Sequence, residues 1–164
     1  MGNNEHKHTF RVGQTKVTTF LPTNHPVYKG FFQAIQLCGG TPPDHVGAVR
    51  LKPDTIYAGE KGQVICGLCF YVPRGGSLIE IYAGSILAFA GRSFYSQVIE
   101  TRYVTLHEMG HSEHSFLLQN GQWVDRSPRV QVVEDYADNY ATEILKRREK
   151  LEHVPRKFQR RQFR

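Results

Sequence analysis

Tyr103-Val104-Thr105-Leu106-His107-Glu108-Met109-Gly110-His111 and, further on, Glu134-Asp135-Tyr136-Ala137-Asp138 are the stretches on which the fold and the chemistry turn. The first contains no proline, and its two histidines stand four residues apart. On a helix that spacing puts both imidazoles on one face, within reach of a single ion. Glu108 flanks the same face, where a carboxylate can take a proton from a water that the ion activates. A catalytic zinc site uses three protein ligands and keeps one position open. Glu134 falls near the start of the next helix, and a helix–loop–helix return would bring it to the histidines as the third ligand. Asp138 lies one turn further along the same face. There it could accept the far N–H of a ligand histidine and hold its tautomer. Zn2+ is the ion expected for two imidazoles and a carboxylate.

His114 and Asp135 compete with Glu134 for the third position. His114 is the seventh residue from His107, and three ligands along one straight helix spread over about 10 Å, too far to converge. It is read instead as a surface group or as a hydrogen-bond donor to the oxyanion of a reaction intermediate. Asp135 points to another side of its helix. Tyr136 and Tyr140 are further oxyanion candidates, with packing the simpler role. His6, His8, His25, His45 and His153 stand in no motif.

Outward from these segments, the first half of the chain reads mainly as strands. His8 to Leu21 gives one strand, or two broken near Gly13. Val46 to Leu51, Val64 to Val72 and Leu78 to Tyr82 give three more, separated by Pro- and Gly-rich turns. Val27 to Cys38 carries apolar residues at helical spacing and stops at Gly39-Gly40. A helix from Ser93, its N-cap, to about His114 holds the histidines. A second helix follows Ser127-Pro128 and runs to about Leu151, with Val130, Val133, Ala137, Tyr140, Ala141, Ile144 and Leu145 on one face. Strands first and helices last make an α+β fold: a mostly antiparallel, twisted sheet with one helix, then the two helices of the site.

The 164 residues suit one domain, residues 1–151, with a basic tail at 152–164. A hydrophobic share of 40% and a charged share of 22% argue against a disordered chain. The net charge of +6 is unevenly placed. Residues 146–164 hold nine Lys or Arg against two Glu, so the rest of the chain carries about −1. With Phe158 and Phe163 between its cations, the tail suits either a solvated helix end or a nucleic-acid contact. No apolar run is long enough to cross a membrane and no leader is read at Met1, so a cytoplasmic protein is the expectation. Cys38, Cys66 and Cys69 do not make a disulfide framework, and Cys66-Gly67-Leu68-Cys69 sits in a strand-like run without a second ligand pair. Small buried hydrophobes are the expected role.

H-E-x-x-H followed by E-x-x-x-D resembles the pattern of the gluzincin metallopeptidases. Glu134 to Leu145 is further similar to the third-ligand helix of the ImmA/IrrE-like peptidases, and His107-Glu108-Met109-Gly110-His111 to their active helix. The resemblance covers roughly Leu78 to Leu145 and departs at Glu113, where an apolar residue is usual. It implies a zincin-like domain in which His107, His111 and Glu134 hold zinc, Glu108 is the general base and Asp138 orients the first histidine. The implied activity is hydrolysis of a protein or peptide. The implied edge strand, pairing with an extended substrate, is Leu78 to Tyr82. The alternative is a binding protein on the same scaffold, of the sort phages or mobile elements encode, using its basic tail on nucleic acid.

Overall fold

Val17, Val49, Leu51, Ile79 and Ile81 stand at alternate positions along short segments, and each is fully buried. That two-residue period forms the floor of the core in the computed structural model, which describes residues 7–53, 56–72, 76–120 and 130–152. The strands are β1 (His8–Val12), β2 (Thr15–Thr19), β3 (Val46–Lys52), β4 (Gly67–Val72) and β5 (Gly76–Tyr82). The helices are α1 (Pro26–Leu37), α2 (Ala83–Ala90), α3 (Phe94–Gln119) and α4 (Val130–Glu152). They form one α+β domain around a five-stranded sheet of order β1-β2-β3-β5-β4. No described helix is long and apolar enough to cross a membrane.

The sheet is mixed, not mostly antiparallel. β1 and β2 form a hairpin that turns at Gly13, whose φ of +59° suits a residue without a side chain. β2 and β3 run parallel because α1 carries the chain back between them, as a crossover must. β5 also runs parallel to β3, and β4 is antiparallel to β5 at the edge. Leu78 to Tyr82 is therefore an inner strand, and the edge strand beside it is β4. In the alternation of this strand Glu80 falls on the face opposite Ile79 and Ile81. Its carboxylate is in fact buried, accepting the Tyr82 hydroxyl at 2.6 Å and meeting Arg50 of β3 at 3.3 Å.

α3 is the central helix. Ser93 caps it, its side chain accepting the Ser96 N–H at 3.3 Å. It runs past His114 to Gln119, where Asn120 ends it. Val104, Leu106 and Met109 join the core from this helix. Two glycines set its neighbours' distance. A Cβ on Gly30 of α1 would lie 2.6 Å from both Thr101 Cβ and Val98 O of α3. A Cβ on Gly110 of α3 would lie 2.8 Å from the Ala137 Cα of α4. α2 leaves no trace in the sequence pattern, since Ala83-Gly84-Ser85-Ile86-Leu87-Ala88-Phe89-Ala90 is apolar almost throughout and has no helical period. On α4, Ala137 and Ala141 are fully buried as their spacing implies, whereas Val130 is exposed at the first position. Ser127-Pro128 and the basic tail lie outside the described residues.

Candidate metal centre

The helical phase of α3 sets His107 and His111 side by side, ring centroids 4.6 Å apart and nearly perpendicular, with Nε2 atoms 3.0 Å apart. α4 supplies the third group. Glu134 Oε2 lies 3.2 Å from His107 Nε2, and Oε1 lies 3.4 Å from His111 Nε2. The approach of Ala137 to Gly110 makes this reach possible, because Glu134 and Asp138 lie one turn apart and flank the contact. Among the described residues, His107, His111 and Glu134 form the one group that could hold a metal ion. Donor atoms on a tetrahedral ion with bonds of about 2.0–2.1 Å stand about 3.3 Å from each other. The observed separations fit that spacing. Asp135, the rival on α4, instead accepts from Gln131 of its own helix at 2.7 Å.

Asp138 stands behind His107. Its Oδ1 accepts the Nδ1–H at 2.8 Å and the Tyr103 hydroxyl at 2.6 Å. With Nδ1 holding the proton, the Nε2 lone pair faces His111 and Glu134, as a ligand must. The Tyr103 hydrogen bond is the main reason that the Asp138 carboxyl sits below its ordinary pKa, with the charge of His107 helping and burial opposing. In turn burial, then the bond to Asp138, pushes the Tyr103 hydroxyl up to about 12. His111 is held below the ordinary imidazole value by burial and then by His107, so its neutral, metal-binding form prevails. Tyr103 was not singled out in the sequence. Its signal is the spacing: it lies four residues before His107, one turn back on the same face.

Glu108 is buried, at 6% exposure, on the wall of a cleft of about 630 Å³ that also takes in His107, His111 and Glu134. Burial first, and the charge of Glu134 second, raise its pKa to about 8. Room for it comes from Gly67 on the edge strand. A Cβ there would lie 2.9 Å from Glu108 Oε1 and 2.8 Å from Val104 Cγ1. Gly67 is thus the part of Cys66-Gly67-Leu68-Cys69 that the site requires, although the cysteines are what the sequence draws attention to. Those two thiols line the cleft and are only half-buried, in place of the interior role expected. Cys66 precedes β4, so the alternation of a strand does not send it away from Cys69. Burial is the main cause lifting Cys66 to about 11 and Cys69 to about 12, which keeps both protonated.

His114 is neither at the surface nor on the cleft wall. It is 7% exposed, with its ring 5.4 Å from that of Tyr136, because α4 covers this end of α3. Tyr136 donates its hydroxyl to Glu113 at 2.5 Å, which gives the unexpected acid on α3 a structural partner on α4. Tyr140 packs against the core. None of these four lines the cleft. No protein-family model matches the chain, and it matches no curated protein and no solved structure.

Asp138→Asn keeps the size of the side chain and weakens its hold on the His107 tautomer. Metal affinity, measured by competition with a chromophoric chelator, is expected to fall about 10–100-fold while the melting temperature of the metal-free protein changes little. Glu108 gives a pH signature in metal-free protein. Its folded-state pKa of about 8 exceeds the ordinary 4.5, so its contribution to stability is full at acid pH and declines as pH rises between those values. Glu108→Gln lacks this loss. Urea unfolding of the chelated proteins should show the variant gaining on the parent from about pH 5 to pH 8, by up to about 1.4 kcal/mol per pH unit.

Proposed function

We propose that the protein is a zinc-dependent metallopeptidase of the gluzincin type, similar in its site to the ImmA/IrrE-like peptidases. The observation that carries this reading is the convergence of Glu134 on the paired imidazoles, with Glu108 beside them and Asp138 behind. His107, His111 and Glu134 would hold the ion. When bound, zinc supplies a Lewis acid that polarises a peptide carbonyl and brings the pKa of water to about 7.

The protein's own groups do the rest. Glu108 takes the proton of the attacking water and delivers it to the departing amine. Burial raises the proton affinity of Glu108 in metal-free protein, and a cation held beside it would lower that affinity again, so that the carboxylate form is available to accept the proton. Neutral His111 and the Asp138-held tautomer of His107 keep two nitrogen lone pairs available throughout. The β4 edge borders the cleft and replaces β5 as the strand along which an extended peptide would lie, its outer side carrying no strand among the described residues. The substrate class is a protein or peptide.

The test is Glu108→Gln in the full chain, assayed on zinc-loaded protein with a mixture of quenched fluorescent peptides and with unfolded casein. Zinc content should remain at the parent level, while the cleavage rate falls at least about 100-fold. Unchanged cleavage by the variant would rule out the mechanism.

A further inference from the structure

The sheet has a second face, turned away from the metal centre. Phe10, Val17 and Val49 point into the helical layer, as the stacking of Phe10 on Phe32 of α1 shows. Strand alternation therefore places Thr9 and Arg11 of β1, Lys16 and Thr18 of β2, and Arg50 and Lys52 of β3 on the opposite side. The register aligns Arg11 with Lys16, Thr9 with Thr18, and Thr18 with Arg50. These side chains stand in rows across adjacent strands, about 4.8 Å apart.

Lys7, Lys16, Arg50 and Lys52 line a hollow of about 240 Å³ together with Thr9, Thr18 and Phe20. Among the described residues, no carboxylate lines it. Among the described residues, Glu80 meets two of the four cations, Arg50 at 3.3 Å and Lys52 at 3.9 Å. This is a segregation of charge, because the chain before residue 146 is slightly acidic as a whole. The Thr9 and Thr18 hydroxyls, 3.2 Å apart, add neutral donors between the cations.

The combination selects among anions. A lone phosphate would use the cations and hydroxyls but leave Phe20 without a role. A lipid surface would use the charges but has no planar group for the ring. A nucleic-acid strand uses all three, with phosphates on the cations and a base against the aromatic. A duplex keeps its bases stacked inward, so the aromatic favours a single strand. Arg11, aligned with Lys16, extends the cationic row beyond the hollow toward a second phosphate. We propose that this sheet face binds single-stranded nucleic acid, with Lys7, Lys16, Arg50 and Lys52 on the backbone and Phe20 against a base. The proposal is independent of the peptidase reading, since the hollow shares no residue with the cleft.

The experiment is fluorescence anisotropy of a labelled oligothymidylate of about 20 nucleotides, titrated with the full chain at several salt concentrations. Three proteins are compared: the parent, Lys7→Gln/Lys16→Gln/Lys52→Gln, and a tail variant, Arg156→Gln/Lys157→Gln/Arg160→Gln/Arg161→Gln. The sheet variant should bind at least about 10-fold more weakly, with a salt slope shallower by about 2, as three lost contacts to a single strand require. The tail variant should keep most of the parent's affinity. Phe20→Leu should weaken binding without changing the salt slope. Zinc uptake and melting temperature of the sheet variant should match the parent, which separates lost contacts from lost fold. Parent-like binding by the sheet variant, equal affinity for the same strand in a duplex, or tighter sheet-dependent binding to phosphatidylserine vesicles would each overturn the proposal.

Discussion

The backbones of α3 and α4 meet at Gly110 and Ala137, and the candidate metal centre, His107, His111 and Glu134, comes together only because they are that close. A single added carbon on Gly110 would press to 2.8 Å from the facing Cα. With that contact in place, Glu134 and Asp138 fall on either side of the imidazoles, one toward Nε2 and one toward Nδ1. A helix separation larger by even a methyl group would withdraw both carboxylates together. Gly110 is an interior helix residue and costs about 1 kcal/mol of helix propensity relative to alanine. That cost is repaid by geometry, since no other residue lets the second helix seat here.

Around this contact the electrostatics are arranged in sequence. Tyr103 bonds Asp138, Asp138 bonds His107, and His107 and His111 stand together with Glu134. Each link narrows the freedom of the next, and burial lowers the proton affinity of His111 while raising that of Glu108. Burial thus acts in opposite senses on the two neighbours, favouring the neutral imidazole of His111 and the protonated carboxyl of Glu108 in metal-free protein. Gly67 belongs to the same arrangement from the sheet side, because it lets the edge strand pass over Glu108 without displacing it.

The site was more legible in the sequence than the sheet. Helical spacing pairs His107 with His111 and Glu134 with Asp138, a helix–loop–helix return was expected to join the two pairs, and the structure brings these four residues and Glu108 to one place. Helical phase is local, so four-residue intervals translate directly into shared faces. Strand order is not local. Nothing in Leu78 to Tyr82 tells whether a neighbour lies on one side or both, and the partners of Glu80, Arg50 and Tyr82, are known only once the strands are paired. The same reason hides Gly67, whose necessity comes from a residue on a distant helix. α2 escaped because an apolar run carries no period. His114 was misplaced because its surroundings depend on how α4 crosses α3, which spacing along α3 cannot report.

The most direct test of the metal centre is X-ray absorption at the zinc edge, on full chain that has been stripped with a chelator, reloaded and desalted. The expected result is one zinc per chain, a first shell of nitrogen and oxygen only, and the outer scattering of two imidazoles. Failure to retain zinc, or sulfur in that shell from Cys66 or Cys69 at the cleft wall, would contradict it.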